Sequence, residues 1–159
     1  HQGDYQFFEI LERLGAEVTR DPTSTIISGP SRLTPMKSID MQDMPDAALT
    51  LIALAPLLNE ELSILGLSSL HHKECDRLEC PADEMLKMGI GVTTTSDSIR
   101  IQPASVETLS DHLLTTYHDH RMAMAFSLLG SKTGRITVDD KNVVDKTYPA
   151  YWSDYQKFL

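Results

Sequence analysis

Glu9-Ile10-Leu11-Glu12-Arg13-Leu14-Gly15-Ala16-Glu17-Val18 has a counterpart 74 residues further along, Asp83-Glu84-Met85-Leu86-Lys87-Met88-Gly89-Ile90-Gly91-Val92. Each stretch spaces its apolar residues as a helix does and ends on a glycine suited to the left-handed position that terminates helices. Two short strands around a polar turn follow each helix. In the first copy they are Ala16 to Thr19 and Thr25 to Ser28, about Asp21-Pro22; in the second, Gly91 to Thr94 and Ser98 to Gln102, about Ser96-Asp97.

Beyond this pair, both copies reach an aspartate that opens a strongly apolar helix: Asp46-Ala47-Ala48-Leu49-Thr50-Leu51-Ile52-Ala53-Leu54, and Asp119-His120-Arg121-Met122-Ala123-Met124-Ala125-Phe126-Ser127-Leu128-Leu129. A helix apolar on nearly every side is buried on every side, so two of them imply a shared core. Each copy closes with a strand, Glu61 to Leu65 and Arg135 to Val138. The reading is an α/β unit of about 74 residues present twice, roughly 1–75 and 76–159, stacked around one core.

Composition agrees. The chain has 159 residues, 41% hydrophobic and 23% charged, which suits one globular domain. The longest apolar run, Ala47 to Leu58, is too short for a membrane span of roughly 20 residues and reads as a core helix. The net charge of −9 argues against nucleic acid or an anionic membrane as partner. Cys75 and Cys80 have no His pair at zinc-ligand spacing, so no metal site or disulfide framework is expected, and a reducing cytoplasm is the default. The first residue is His1 rather than Met, and a helix follows almost at once; a tag or a cut is expected just upstream.

Four of the fourteen Lys and Arg fall at expected helix starts: Lys73 and Arg77 before a helix running to Met88, Arg121 in the second apolar helix, and Lys146 before a helix that Thr147 could cap. A helix N-terminus already carries partial positive charge, so a cation there is unfavourable by a few tenths to about 1 kcal/mol. A bound anion is the expected compensation. Repeated units stack their equivalent ends on one face, so these cations should form one electropositive rim on an otherwise acidic protein.

At these segments the chain resembles a known family. Lys73-Glu74-Cys75-Asp76-Arg77-Leu78 and Asp119-His120-Arg121-Met122-Ala123-Met124 resemble the two strong motifs of EPSP synthases. Pro45-Asp46-Ala47-Ala48 and Lys146-Thr147-Tyr148-Pro149 match two further segments in the family's order, and weaker similarity reaches Gly3-Asp4. The resemblance implies an inverse α/β barrel domain of the enolpyruvyl transferase type, built from βαβαββ repeats. The chain would be part of the C-terminal-side domain, with the N-terminal domain absent. The reaction it implies transfers the enolpyruvyl group of phosphoenolpyruvate to the 5-hydroxyl of shikimate 3-phosphate, without metal or organic cofactor.

By the same resemblance, Asp46, Lys73 and Glu74 are the catalytic candidates: Asp46 as base or its partner, Lys73 as proton shuttle at the hydroxyl, and Glu74 as acid for the methylene carbon. Arg77, Arg121 and Lys146 would clamp phosphoenolpyruvate, and His120 would support that clamp. Asp46, Lys73 and Ser69 would meet shikimate 3-phosphate. The chain departs from the family's usual Asn and Arg at Ser69 and His71. Two alternatives stand beside this reading: a UDP-N-acetylglucosamine enolpyruvyl transferase, and a non-catalytic truncated domain that binds anions. With half the site absent, the polypeptide alone is expected to be inactive. The full enzyme is expected to be a monomer, and the fragment to self-associate through an exposed apolar face.

Overall fold

The computed structural model describes residues 3–159; His1, on which the expectation of an upstream cut rests, lies outside the described residues. The two repeat-defining helices form at Phe7–Arg13 (α1) and Glu79–Lys87 (α3). Both end where expected, with Gly15 at φ +99° and Gly89 at φ +83°, a backbone region that side chains disfavour. Each helix leads into an antiparallel hairpin, β1 (Glu17–Arg20) with β2 (Thr25–Ser28), and β5 (Val92–Thr94) with β6 (Ile99–Ile101).

A third strand follows each hairpin: β3 (Ser38–Asp40) and β7 (His112–Leu114). Neither is expected from sequence. Each has three residues and one buried apolar side chain, Ile39 or Leu114, too few to display an alternation. The apolar helices come next, α2 (Pro45–Leu54) and α4 (His120–Thr133), and then β4 (Leu62–Leu65) and β8 (Ile136–Val138). A five-residue helix, α5 (Tyr151–Tyr155), and a 3-10 turn, Gln156–Phe158, come last. The order αβββαβ therefore recurs with the period read from sequence.

The sheets are cut out of phase with that period. β3 pairs parallel with β4 through the α2 crossover, and β4 then pairs antiparallel with β6, giving the order β3-β4-β6-β5. A whole βαβαββ unit, with Ile39 beside Ile64 and Leu62 beside Ile101, thus runs from Ser38 to Ile101. Before it in the chain come α1 and the β1–β2 ribbon, and after it β7-α4-β8, again a parallel pair across a helix.

The two apolar helices share a core, as their composition requires. α2 packs against α4, burying Ala48, Leu51 and Ile52 on one and Met122, Phe126 and Leu129 on the other. Apolar side chains also stay exposed, including Ile26 and Ile27 on β2 and Leu113 on β7. Among the described residues no helix is long and apolar enough to cross a membrane.

Phe126 is fully buried between the helices, whereas Phe158 is 87% exposed. Phe126→Ala should cost about 3–5 kcal/mol in urea unfolding, and Phe158→Ala less than about 0.5 kcal/mol.

Candidate active site

The site begins with a guanidinium that the fold has buried. Arg77, 2% exposed, lies in the loop before α3 and makes four hydrogen bonds to three carboxylates. Its Nε donates to Asp119 Oδ2 at 2.7 Å, and Nη2 to Asp119 Oδ1 at 3.1 Å, a two-pronged grip. Its Nη1 donates to Asp46 Oδ1 at 2.8 Å, and Nη2 to Glu74 Oε2 at 2.6 Å. Asp119 is fully buried, so this pair has little water to compete with it.

Each carboxylate has a second duty. Asp119 is the N-cap of α4, accepting from the Arg121 backbone N–H at 2.8 Å. Asp46, in the first turn of α2, also receives Lys73, whose Nζ is 3.0 Å from Oδ1. Glu74 reaches Lys146 through Oε1 at 3.1 Å. Arg121 donates from Nη1 to the backbone carbonyl of Asp46 at 3.1 Å, which ties the starts of the two apolar helices together. His120 is nearly buried beside Asp119, its Nδ1 3.8 Å from Oδ1.

The structure therefore brings Asp46, Lys73, Glu74, Arg77, Arg121, Lys146 and His120 into one neighbourhood. Ser69 is exposed on the short 3-10 turn Ser68–His72, four residues before Lys73, and joins none of these bonds. Two expectations about the cations need correction. Arg121 sits in the first turn of α4 and Arg77 just before the N-cap of α3, as expected, but Lys73 lies a loop further back and Lys146 ends a 3-10 turn. Thr147 does not cap α5, which begins after Ala150 with no side-chain cap.

The second correction concerns compensation. Asp46, Glu74 and Asp119 already face the four cations, so the chain supplies its own counter-charge. Helix α3 has an anion too, since Asp76 Oδ1 accepts from the N–H groups of Leu78 and Glu79, both at 3.0 Å. His71, at the departure from the family pattern, holds Asp76 Oδ2 at 2.7 Å and lies 3.1 Å from the Ser96 carbonyl.

Burial and charge oppose each other here, and charge wins. Burial pushes the Asp46 carboxyl up, but the hydrogen bond from Lys73 and the charges of Lys73, Arg121 and Arg77 hold it below the usual range. Asp119 is likewise pushed up by burial and brought lower by Arg77 and the Arg121 N–H. Glu74 is lowered by its own backbone N–H and by Lys146. Burial instead leaves His120 below its ordinary value, with Asp119 opposing.

Beside the cluster, a cleft of about 460 Å³ opens between α2, α4 and the start of α5. Asp46, His120, Arg121 and Tyr148 are among its polar lining, and Met124 and Leu128 among its apolar walls. Lys73, Glu74, Arg77 and Lys146 stand outside that lining. In sequence Asp119 shows only as the opener of an apolar helix, which is half of what its carboxylate does.

Comparison with known proteins identifies the family. Residues 1–155 match the family described as EPSP synthase (3-phosphoshikimate 1-carboxyvinyltransferase). The 3-phosphoshikimate 1-carboxyvinyltransferase of Trichormus variabilis is 34% identical over 158 residues, covering 99% of this chain and 36% of the relative. A chloroplastic counterpart from Nicotiana tabacum is 36% identical over 163 residues, 99% of this chain and 31% of the relative. The solved EPSP synthase of Acinetobacter baumannii superposes with a TM-score of 0.78 at 25% identity, over 95% of this chain and 38% of that one. The chain belongs to the EPSP synthase family, shares its fold, and spans about a third of the length of the curated relatives it matches.

A carboxyl held below its unfolded value adds stability that is present above that value, about 4, and is lost as pH falls through the folded one. Asp46, Glu74 and Asp119 all have this sign. The urea midpoint should therefore fall between pH 6 and pH 3. Asp119→Asn should lower stability at neutral pH by about 3 kcal/mol or more, because it leaves a buried guanidinium short of its counter-charge, and should make the acid fall shallower.

Proposed function

We propose that this chain is part of the C-terminal-side domain of a cytoplasmic enzyme that transfers the enolpyruvyl group of phosphoenolpyruvate to the 5-hydroxyl of shikimate 3-phosphate, a step of aromatic amino-acid biosynthesis. The observation that carries this reading is the convergence of Lys73, Glu74, Arg77, Arg121 and Lys146 from three separate segments of the chain onto one spot. Such chemistry needs cations to hold a carboxylate and a phosphate, a base for the hydroxyl proton, and an acid for the methylene carbon.

Arg121 and Lys146 are the cations open to a ligand, at the cleft and at the surface respectively; the Lys146 side chain is 65% exposed. Arg77 is different. Its fork is occupied by carboxylates, so it meets a substrate anion only when Glu74 or Asp46 yields a place. Glu74 now bridges Arg77 and Lys146 as an anion would. An incoming carboxylate or phosphate that takes over those cations removes the share of the lowering that Lys146 and Arg77 supply, so Glu74 holds a proton more readily, while its own backbone N–H keeps the rest. Lys73, at Asp46, is placed to relay the hydroxyl proton, and His120 steadies the clamp from the cleft wall.

The opposite wall, which holds the shikimate phosphate, comes from the part of the protein outside this chain. Ser69 is exposed and free to meet that substrate. The full enzyme acts as a monomer on these small molecules and needs no metal or organic cofactor. The 159 residues alone bind anions without turnover.

An assay of the isolated chain with both substrates should give no inorganic phosphate above background; robust turnover would refute the half-site reading. In the full-length enzyme, Arg121→Ala or Lys146→Ala should raise the KM for phosphoenolpyruvate roughly 10- to 100-fold, as expected for losing a hydrogen bond between charged groups, and that for shikimate 3-phosphate far less. Equal effects on both substrates would remove the clamp assignment.

A further inference from the structure

Glu84 is a carboxylate in the wrong place for an ordinary helix. It lies on the apolar face of α3 with Pro81, Met85 and Met88, is fully buried, and yet accepts from four donors. His112 Nε2 lies 2.6 Å away, the Thr115 backbone N–H 3.1 Å, the Tyr117 hydroxyl 2.9 Å, and Lys87 Nζ 2.6 Å. Three of these partners belong to the strand and loop that run from β7 into α4.

That loop is strained. Tyr117 at φ 52° and His118 at φ 59° are, among the described residues, the two non-glycine positions of positive φ, and they are adjacent. The left-handed region is disfavoured for a residue with a side chain, so two together persist only where surrounding bonds impose them. The imposing bonds are visible. Glu84 takes the Thr115 N–H and the Tyr117 hydroxyl, Asp139 takes the Thr116 N–H at 3.0 Å, and the Asp119 N–H closes onto the Thr116 carbonyl at 2.9 Å. The next residues are Asp119, His120 and Arg121.

We propose that Glu84 is a positioning residue for the anion clamp, holding the left-handed Tyr117–His118 turn so that Asp119 meets Arg77 and Arg121 meets the cleft. The proposal rests on the enolpyruvyl-transfer reading above. Helix α3 then grips the clamp loop twice: Arg77, just before its start, takes Asp119, and Glu84, in its middle, takes the segment leading to Asp119. Four donors need the lone pairs of both carboxylate oxygens, which a neutral amide with a single acceptor oxygen cannot supply. The Tyr117 hydroxyl is itself pushed up to about 12 by burial and by Glu84, so it stays a donor across the working pH range.

The test uses the full-length enzyme, with initial rates against each substrate. Wild type should turn over both substrates; if it does not, the functional reading fails before the positioning one is reached. Given an active wild type, Glu84→Gln should raise the phosphoenolpyruvate KM roughly tenfold, as misplacing a binding group by a fraction of an ångström does, while the shikimate 3-phosphate KM stays within about twofold. Tyr117→Phe, which keeps the ring and removes one bond, should show the same split at smaller size. In an Arg121→Ala background, Glu84→Gln should add little further to the phosphoenolpyruvate KM, because both act through one group. Equal rises for the two substrates, or full additivity with Arg121→Ala, would overturn the proposal. So would a lowered melting temperature with both KM values unchanged. If Glu84→Gln does not fold, the Tyr117→Phe split and its cycle with Arg121→Ala decide in the same way.

Discussion

A single buried guanidinium determines how the working face of this chain is assembled. Arg77 cannot remain charged out of water unless carboxylates meet it, and two of the three that do come from elsewhere in the chain: Asp46 from the first turn of α2 and Asp119 from the start of α4. Satisfying Arg77 therefore fixes where two core helices begin. The Arg121 side chain, reaching back to the Asp46 carbonyl, closes the same loop from the other side. Packing of α2 on α4 buries the apolar faces, and the ionic knot ties the starts of the two helices together.

Much of this was legible in the sequence. The apolar faces of α2 and α4 follow from composition alone, because Ala47 to Leu54 and Met122 to Leu129 leave no polar stripe. The ends of α1 and α3 follow from Gly15 and Gly89. The short strands β3 and β7 were not legible, since three residues carry no usable period. The site was legible as a set of motifs but not as geometry. Cations near helix starts suggested an external anion, whereas the chain brings its own through residues distant in sequence, such as Asp119, 42 positions after Arg77. Glu84 could have been found: a carboxylate at the spacing of Pro81, Met85 and Met88 stands on a face where only a fully partnered one survives.

The mismatch between repeat and sheet has its own physical basis. Sequence similarity marks what was copied, but hydrogen bonding marks what coheres, and β4 pairs across the copy boundary to β6. The four-stranded sheet from Ser38 to Ile101 is thus made from the end of one copy and the beginning of the next. The β1–β2 ribbon and the β7–β8 pair carry the corresponding pieces at the two ends of the chain, and both present exposed apolar side chains, Ile26, Ile27 and Leu113.

The Glu74 bridge has one more consequence. Because its carboxylate already joins Arg77 to Lys146, an anion arriving there does not add to a bare positive patch but trades places with a resident one. Association then resembles ion exchange at the two cations, with the tethered Glu74 carboxylate as the displaced ion. Its affinity should respond weakly to ionic strength compared with an open cationic surface. It should also discriminate by shape and valence, since a weak monovalent anion offers the two cations no better arrangement than the one they hold.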